Sequence, residues 1–189
     1  MVKSTVTDSL KKKCRGIKML ILDVDGTLTN GNIAYSMNGD DIKYFHVHDG
    51  FGIKLVQDAG IIVAVISSKS TISLEKRFRE LNITDKYLGI ANKLMAYQTL
   101  KQKYNLEDEQ IACMGDDIPD IVLLKHVGFS IAVQNAVDEV KQIADYVTHA
   151  SGGNGAVREV AEMILKGRGE FENLIEKKII NWENEAKEK

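Results

Sequence analysis

Met19-Leu20-Ile21-Leu22-Asp23-Val24-Asp25-Gly26-Thr27-Leu28-Thr29 decides how this chain is read. An apolar run of strand length ends in two aspartates two residues apart, then passes into glycine and threonine. Residues i and i+2 of a strand face the same side. Asp23 and Asp25 are therefore expected to leave the carboxyl end of a buried strand together, with Val24 turned away and Gly26 allowing a sharp turn. Two neighbouring carboxylates repel, so the pair calls for a cation or a shared proton. A local conflict with easy folding of this kind marks a functional site.

The flanking sequence alternates strands and helices. Strands are expected at 20–24, 61–66, 87–90, 111–114, 129–133 and 146–148, and helices at 52–59, 71–81, 93–104, 119–126, 136–143 and 157–165. Residues 61–66 are all apolar, as in a strand buried on both faces. The pattern implies an α/β fold, a Rossmann-like parallel sheet with helices on both faces. Segments 32–37 and 42–47 read as a β-hairpin inserted after the first strand, with Asn38-Gly39 as its turn. An isolated hairpin is marginal in water, and this one carries Ile33, Tyr35, Ile42, Tyr44, Phe45 and Val47. It needs a surface to pack on, either the sheet or another subunit. Between Asp25 and the next helix there is room for nothing else, so no cap domain is expected. Residues 166–189 are charged and thin in apolar side chains, as in a peripheral helix or partly mobile tail.

The chain has 189 residues, 44% of them hydrophobic and 28% charged, enough for a single domain with its own core. A formal charge of -2 gives no electrostatic case for nucleic acid or an anionic membrane as partner. Cys14 and Cys113 form neither a metal spacing nor a disulfide framework. Lys11-Lys12-Lys13 precedes only a short apolar run, so no secretory leader is read. A cytoplasmic protein is expected.

Polar residues follow four expected strands: Asp23 and Asp25; Ser67-Ser68-Lys69; Lys93; and Gly115-Asp116-Asp117 with Asp120. Such positions line the crevice at the carboxyl ends of an open α/β sheet. Taken singly, each has an ordinary structural role, as turn, helix cap or solvated side chain. Together they supply carboxylates, a hydroxyl and a lysine. Convergent carboxylates suit Mg²⁺, a carboxylate can attack phosphorus, and the hydroxyl and lysine can neutralise the transferring oxygens.

In this order the four segments resemble the four motifs of the haloacid dehalogenase superfamily of phosphotransferases. Asp49-Gly50-Phe51-Gly52-Ile53, Asn92-Lys93-Leu94, Gly115-Asp116-Asp117 with Asp120, Ala144-Asp145-Tyr146-Val147-Thr148 and the stretch Gly152 to Val160 resemble, more narrowly, the 3-deoxy-D-manno-octulosonate 8-phosphate phosphatases. That resemblance implies a Mg²⁺-dependent phosphatase of lipopolysaccharide precursor synthesis, acting through an aspartyl phosphate. It implies Asp23 as nucleophile and Asp25 as acid and then base, with Ser67 and Lys93 on the phosphoryl group. The Asp23 carboxylate, the Asp25 backbone carbonyl and Asp116 would hold Mg²⁺, supported by Asp117 or Asp120. Thr27, His48, Asp49, Ser68, Lys69 and Arg158 would contact substrate. The family also implies a homotetramer whose subunits complete one another's sites.

Two positions depart from the family pattern. Ser68-Lys69 stands where Gly-Arg is usual, and His48 where Arg is usual. Lysine loses the bidentate fit to a carboxylate, and the charge of histidine depends on pH. A nine-carbon sialic-acid-type 9-phosphate is thus the alternative substrate. A phospho-accepting signalling module is the alternative from another class, although Asp25 beside Asp23 serves no purpose there.

Overall fold

The computed structural model describes residues 8–37, 39 and 41–187. Six parallel strands form one sheet in the order β5-β4-β1-β6-β7-β8. They are β1 (Met19–Leu22), β4 (Ile62–Ser67), β5 (Asp85–Leu88), β6 (Ile111–Gly115), β7 (Phe129–Ala132) and β8 (Tyr146–Val147). All four residues of β1 are buried, and β1 pairs with β4 on one side and β6 on the other. The chain thus builds outward from β1 in one direction and then the other. This reversal opens a crevice at the strands' carboxyl ends.

Helices cover both faces. α1 (Asp8–Gly16), α2 (Val47–Asp58) and α7 (Ala156–Arg168) pack together, and α4 (Lys93–Tyr104), α5 (Ile121–Leu124) and α6 (Asp138–Ile143) form a second group. α3 (Ile72–Glu80) buries Leu74 and Phe78 and is capped by the Thr71 hydroxyl, which accepts from the Leu74 amide. One continuous core joins both faces.

α1 lies outside the expected elements, because only Leu10 and Cys14 mark its inner face among charged residues. It is held by buried Cys14 against α7 and by Lys13, whose ammonium donates to the Gly128 carbonyl at 2.8 Å and to Asp145 at 2.7 Å. α2 begins five residues before the expected start at 52, because Gly50 and Gly52 are helical here. A Cβ on Gly52 would lie 2.9 Å from the Arg158 Cα, so close packing of α2 on α7, not a turn, requires that glycine. β5 begins two residues before the expected 87, since Asp85 is a buried strand residue paired with Lys103 and Tyr104.

The expected hairpin is much shorter than 32–47. β2 (Ala34–Tyr35) and β3 (Asp41–Ile42) have two residues each, and Asn38 of its turn lies outside the described residues. Ile33, Tyr35, Met37, Tyr44 and Val47 are exposed, and of the expected apolar set Phe45 packs on the core beside Arg77. The C-terminal segment is a helix rather than a loose tail. After Gly169, at φ 71°, α8 (Phe171–Lys187) is fixed by Lys178 to Asp58 at 2.6 Å and by Trp182 against Phe51.

The stretch around Gly152 braces the loop that follows β1. The Gly153 amide donates to the Thr27 carbonyl at 3.0 Å, and a Cβ on Gly152 would lie 1.6 Å from the Gly26 carbonyl oxygen. No rotamer relieves a clash with backbone, so the loop must move. Gly152→Ala is expected to lower stability by at least about 2 kcal/mol in urea melts. An unchanged midpoint would contradict this packing.

Candidate active site

The Val24 carbonyl accepts from the Leu28 amide at 2.9 Å and the Thr29 amide at 3.0 Å, closing a tight turn directly after β1. Gly26 takes φ 101°, a left-handed conformation that favours glycine. The Asp116 carboxylate packs against Gly26 where a side chain would stand, and this brings the Asp25–Gly26 peptide beside it.

Asp23, Asp25, Ser67, Ser68, Lys69, Lys93, Asp116, Asp117 and Asp120 line one cleft of about 150 Å³. The four strand ends therefore do converge. At its floor the buried Lys93 ammonium donates to Asp23 Oδ1 at 2.6 Å and to Asp120 Oδ1 at 2.5 Å. Asp120 Oδ2 accepts from the Asp116 and Asp117 amides at 3.0 and 3.2 Å. Asp120 thus fixes both the lysine and the turn that presents Asp116. Asp117 caps that turn, its Oδ1 accepting from the Ile118 amide at 2.8 Å. Ser67 ends β4, with its hydroxyl accepting from the Lys69 amide at 3.2 Å.

Other expected contacts have different surroundings. Thr27 is buried and donates to Asp116 Oδ1 at 3.3 Å, so its hydroxyl orients a carboxylate instead of lining the cleft. Asp49, expected as a substrate contact, does not line this cleft. It is buried and accepts from the Gly155 and Arg158 amides at 3.2 and 2.9 Å, capping α7. Arg158 donates from Nε to Glu162 at 2.7 Å and lies over Phe51. His48 is exposed in the first turn of α2, edge-on to His46. Neither His48 nor Arg158 lines the cleft of this chain.

The sequence reading missed Lys43. Its ammonium donates to Asp25 Oδ1 at 2.5 Å and lies 3.1 Å from Asp41 Oδ2. No spacing links a hairpin lysine to a strand-end aspartate, so only folding reveals the pair.

The electrostatics favour a cation. Burial, then the charge of Asp120, pushes Asp23 up to about 8 against the pull of Lys93. Burial and Asp120 likewise push Asp116 up to about 6. Burial alone would lower Lys93, but Asp23 and Asp120 together raise it. Asp23, Asp116 and Asp120 each offer an oxygen within 4.8 Å of the others, a donor set suited to Mg²⁺. Asp120 is already engaged by Lys93 and two amides, which leaves Asp23 and Asp116 as the side chains to anchor the ion.

An aspartate at the end of the central strand, a lysine against it and a second acidic loop beside it define a haloacid dehalogenase-like hydrolase. The family model of that description matches residues 89–160. The 3-deoxy-D-manno-octulosonate 8-phosphate phosphatase of Salmonella typhi is 40% identical over 167 residues, 88% of this chain and 89% of the relative. That of Haemophilus influenzae is 41% identical over 160 residues, 85% of this chain and 89% of the relative. The crystal structure of the Moraxella catarrhalis enzyme in complex with magnesium, phosphate and KDO superposes with a TM-score of 0.88 at 37% identity. That match covers 90% of this chain and 98% of the other. This chain belongs to the 3-deoxy-D-manno-octulosonate 8-phosphate phosphatase family.

With Asp23 and Asp116 raised, the metal-free native protein holds protons that the unfolded chain has released. The contribution of these two groups to stability is fully present below the ordinary carboxylate range and is lost as pH rises from there through about 6 for Asp116 and about 8 for Asp23. A bound divalent ion removes that loss. The gain in Tm from Mg²⁺ over EDTA is expected to be larger at about pH 8 than at about pH 5. An equal gain at both would contradict the cation site.

Proposed function

We propose that this chain hydrolyses 3-deoxy-D-manno-octulosonate 8-phosphate to the free sugar acid and phosphate, in lipopolysaccharide precursor synthesis. The observation that carries the chemistry is Asp23 at 2.6 Å from Lys93 at the floor of a carboxylate-lined cleft. The relatives' names supply the substrate.

Asp23 attacks phosphorus, and the bond to the sugar oxygen breaks as Asp25 protonates it. Water then attacks the aspartyl phosphate and returns a proton to Asp25, and the Asp23 carboxylate is released. Lys93 pulls Asp23 toward its ionised form, which a bound divalent ion would complete, and it neutralises the transferring oxygens, joined by the Ser67 hydroxyl. Mg²⁺, when held by Asp23, the Asp25 backbone carbonyl and Asp116, neutralises phosphoryl charge and orients the group. Lys69 and Ser68, at the rim of the cleft, face the sugar.

The whole chain, residues 1–189, acts as one hydrolase domain in the cytoplasm. No helix among the described residues is long and apolar enough to cross a membrane. An uncapped cleft of this size encloses only the phosphoryl end of a sugar phosphate. The exposed apolar residues of the hairpin, Met37 at 105% and Tyr35 at 70% exposure, support a homotetramer in which hairpins cover one another. His48 and Arg158 then belong to the substrate only where a neighbouring subunit brings them to a cleft.

Steady-state assays with Mg²⁺ are expected to give a higher kcat/KM for the eight-carbon acid phosphate than for a nine-carbon 9-phosphate, and Asp23→Asn should abolish turnover. Preference for the nine-carbon acid would overturn the substrate, and an active Asp23→Asn would overturn the mechanism. Native mass spectrometry should show four chains, and Tyr35→Asp with Met37→Asp should dissociate them. A wild-type monomer with full activity would contradict the assembly.

A further inference from the structure

The hairpin does something besides present an apolar surface. Lys43 follows β3 directly, yet its side chain is only 2% exposed and its ammonium lies on Asp25 Oδ1 at 2.5 Å. Burying a lysine is costly unless its charge is paired. Two carboxylates supply the pairing here. Asp41 Oδ2, from the hairpin itself, lies 3.1 Å away, and Asp25 supplies the other. Burial alone would lower the affinity of Lys43 for its proton, but the bonds to Asp25 and Asp41 raise it, so the ammonium form persists. Lys43 is therefore a fixed donor, held by the hairpin and aimed at one oxygen of the residue that moves the proton.

We infer that Lys43 is a positioning residue for Asp25: by occupying Oδ1 it fixes the carboxyl rotamer and leaves Oδ2 as the atom that delivers and retrieves the proton. A carboxylate free to rotate presents either oxygen and spends part of its time misaligned with the leaving group. Alignment of the acid is worth orders of magnitude in rate when the leaving group is an alkoxide. Proton balance is preserved. In the first half-reaction the proton passes from Oδ2 to the sugar oxygen as that oxygen leaves phosphorus. In the second, the attacking water returns a proton to Oδ2 as the Asp23–phosphorus bond breaks. Lys43 remains an ammonium throughout.

This inference rests on the phosphatase reading, and one set of measurements separates the two. Lys43→Met keeps the length of the side chain without its charge. It should lower kcat for the sugar acid phosphate about 100-fold while KM changes less than about threefold. Dinitrophenyl phosphate carries a leaving group that needs no proton. With it, the first step of Lys43→Met, read as a stopped-flow burst, should fall less than about tenfold, and phosphoenzyme should accumulate because the second step still needs Oδ2. Lys43→Arg should recover part of kcat. Asp41→Asn, which loosens Lys43 from its other side, should give a smaller loss of the same kind. Equal losses in the first step with both substrates, or a change confined to KM, would overturn the positioning role. So would a Lys43→Met enzyme as fast as wild type. Loss of native mass or of the cooperative melt in Lys43→Met, with Asp41→Asn fully active, would equally overturn it by assigning Lys43 a structural role. If wild type fails to hydrolyse the sugar phosphate, the phosphatase reading falls instead.

Discussion

The ammonium of Lys93, clamped between Asp23 and Asp120, is the constraint around which the site is arranged. Without it, buried carboxylates from two adjacent strand ends would repel across a few ångströms, and neither loop could close. One cation does not balance three carboxylates, however. Burial first, and then the remaining negative charge, pushes Asp23 and Asp116 upward, and a divalent ion relieves that charge. The protein gives up folding stability to hold this excess of negative charge, which a divalent cation offsets.

Glycine contacts keep that balance in register. Asp116 packs on Gly26, Gly26 packs on Gly152, and Asp120 sits where a Cβ on Gly115 would stand. The Gly26–Gly152 contact is backbone against backbone, which no rotamer change adjusts, and Asp116 and Asp120 fill the space a side chain would take at Gly26 and Gly115. The loop after β1 is thereby wedged between the loop after β6 and the start of α7. The Asp49 cap ties α7 to the start of α2, where the hairpin ends. Distances at the phosphoryl site thus depend on packing as far away as the helices on one face.

What could be read in the sequence follows from this division. Asp23, Asp25, Ser67, Lys93, Asp116 and Asp120 sit just past apolar runs, and sheet topology alone brings such ends together, so order along the chain was enough to group them. Thr27 and Asp49 are harder to place, because a buried polar side chain that orients a carboxylate or caps a helix looks the same in sequence as one that touches a ligand. α1 and the early start of α2 were hidden for a related reason. α2 contains Gly50 and Gly52, which read as breakers until the helix packed on them is known, and α1 offers only Leu10 and Cys14 as an apolar face. Lys43 left no trace, since its partner is brought near only by the path of the hairpin.

That path joins two properties usually treated apart. The hairpin is tied to the crevice through Lys43 on Asp25 and has an outer surface of apolar side chains that this chain leaves in water. A two-residue ladder is too short to hold itself rigid. Whatever covers the apolar side therefore stiffens the strand that carries Lys43, and a stiffer strand narrows the orientations open to the Asp25 carboxyl. In a fold without a cap domain, the proton-transfer geometry then depends on a surface far less buried than the core, while the nucleophile and its lysine do not. On the proposed mechanism, the nucleophile is fixed by the sheet and the orientation of the acid by the hairpin.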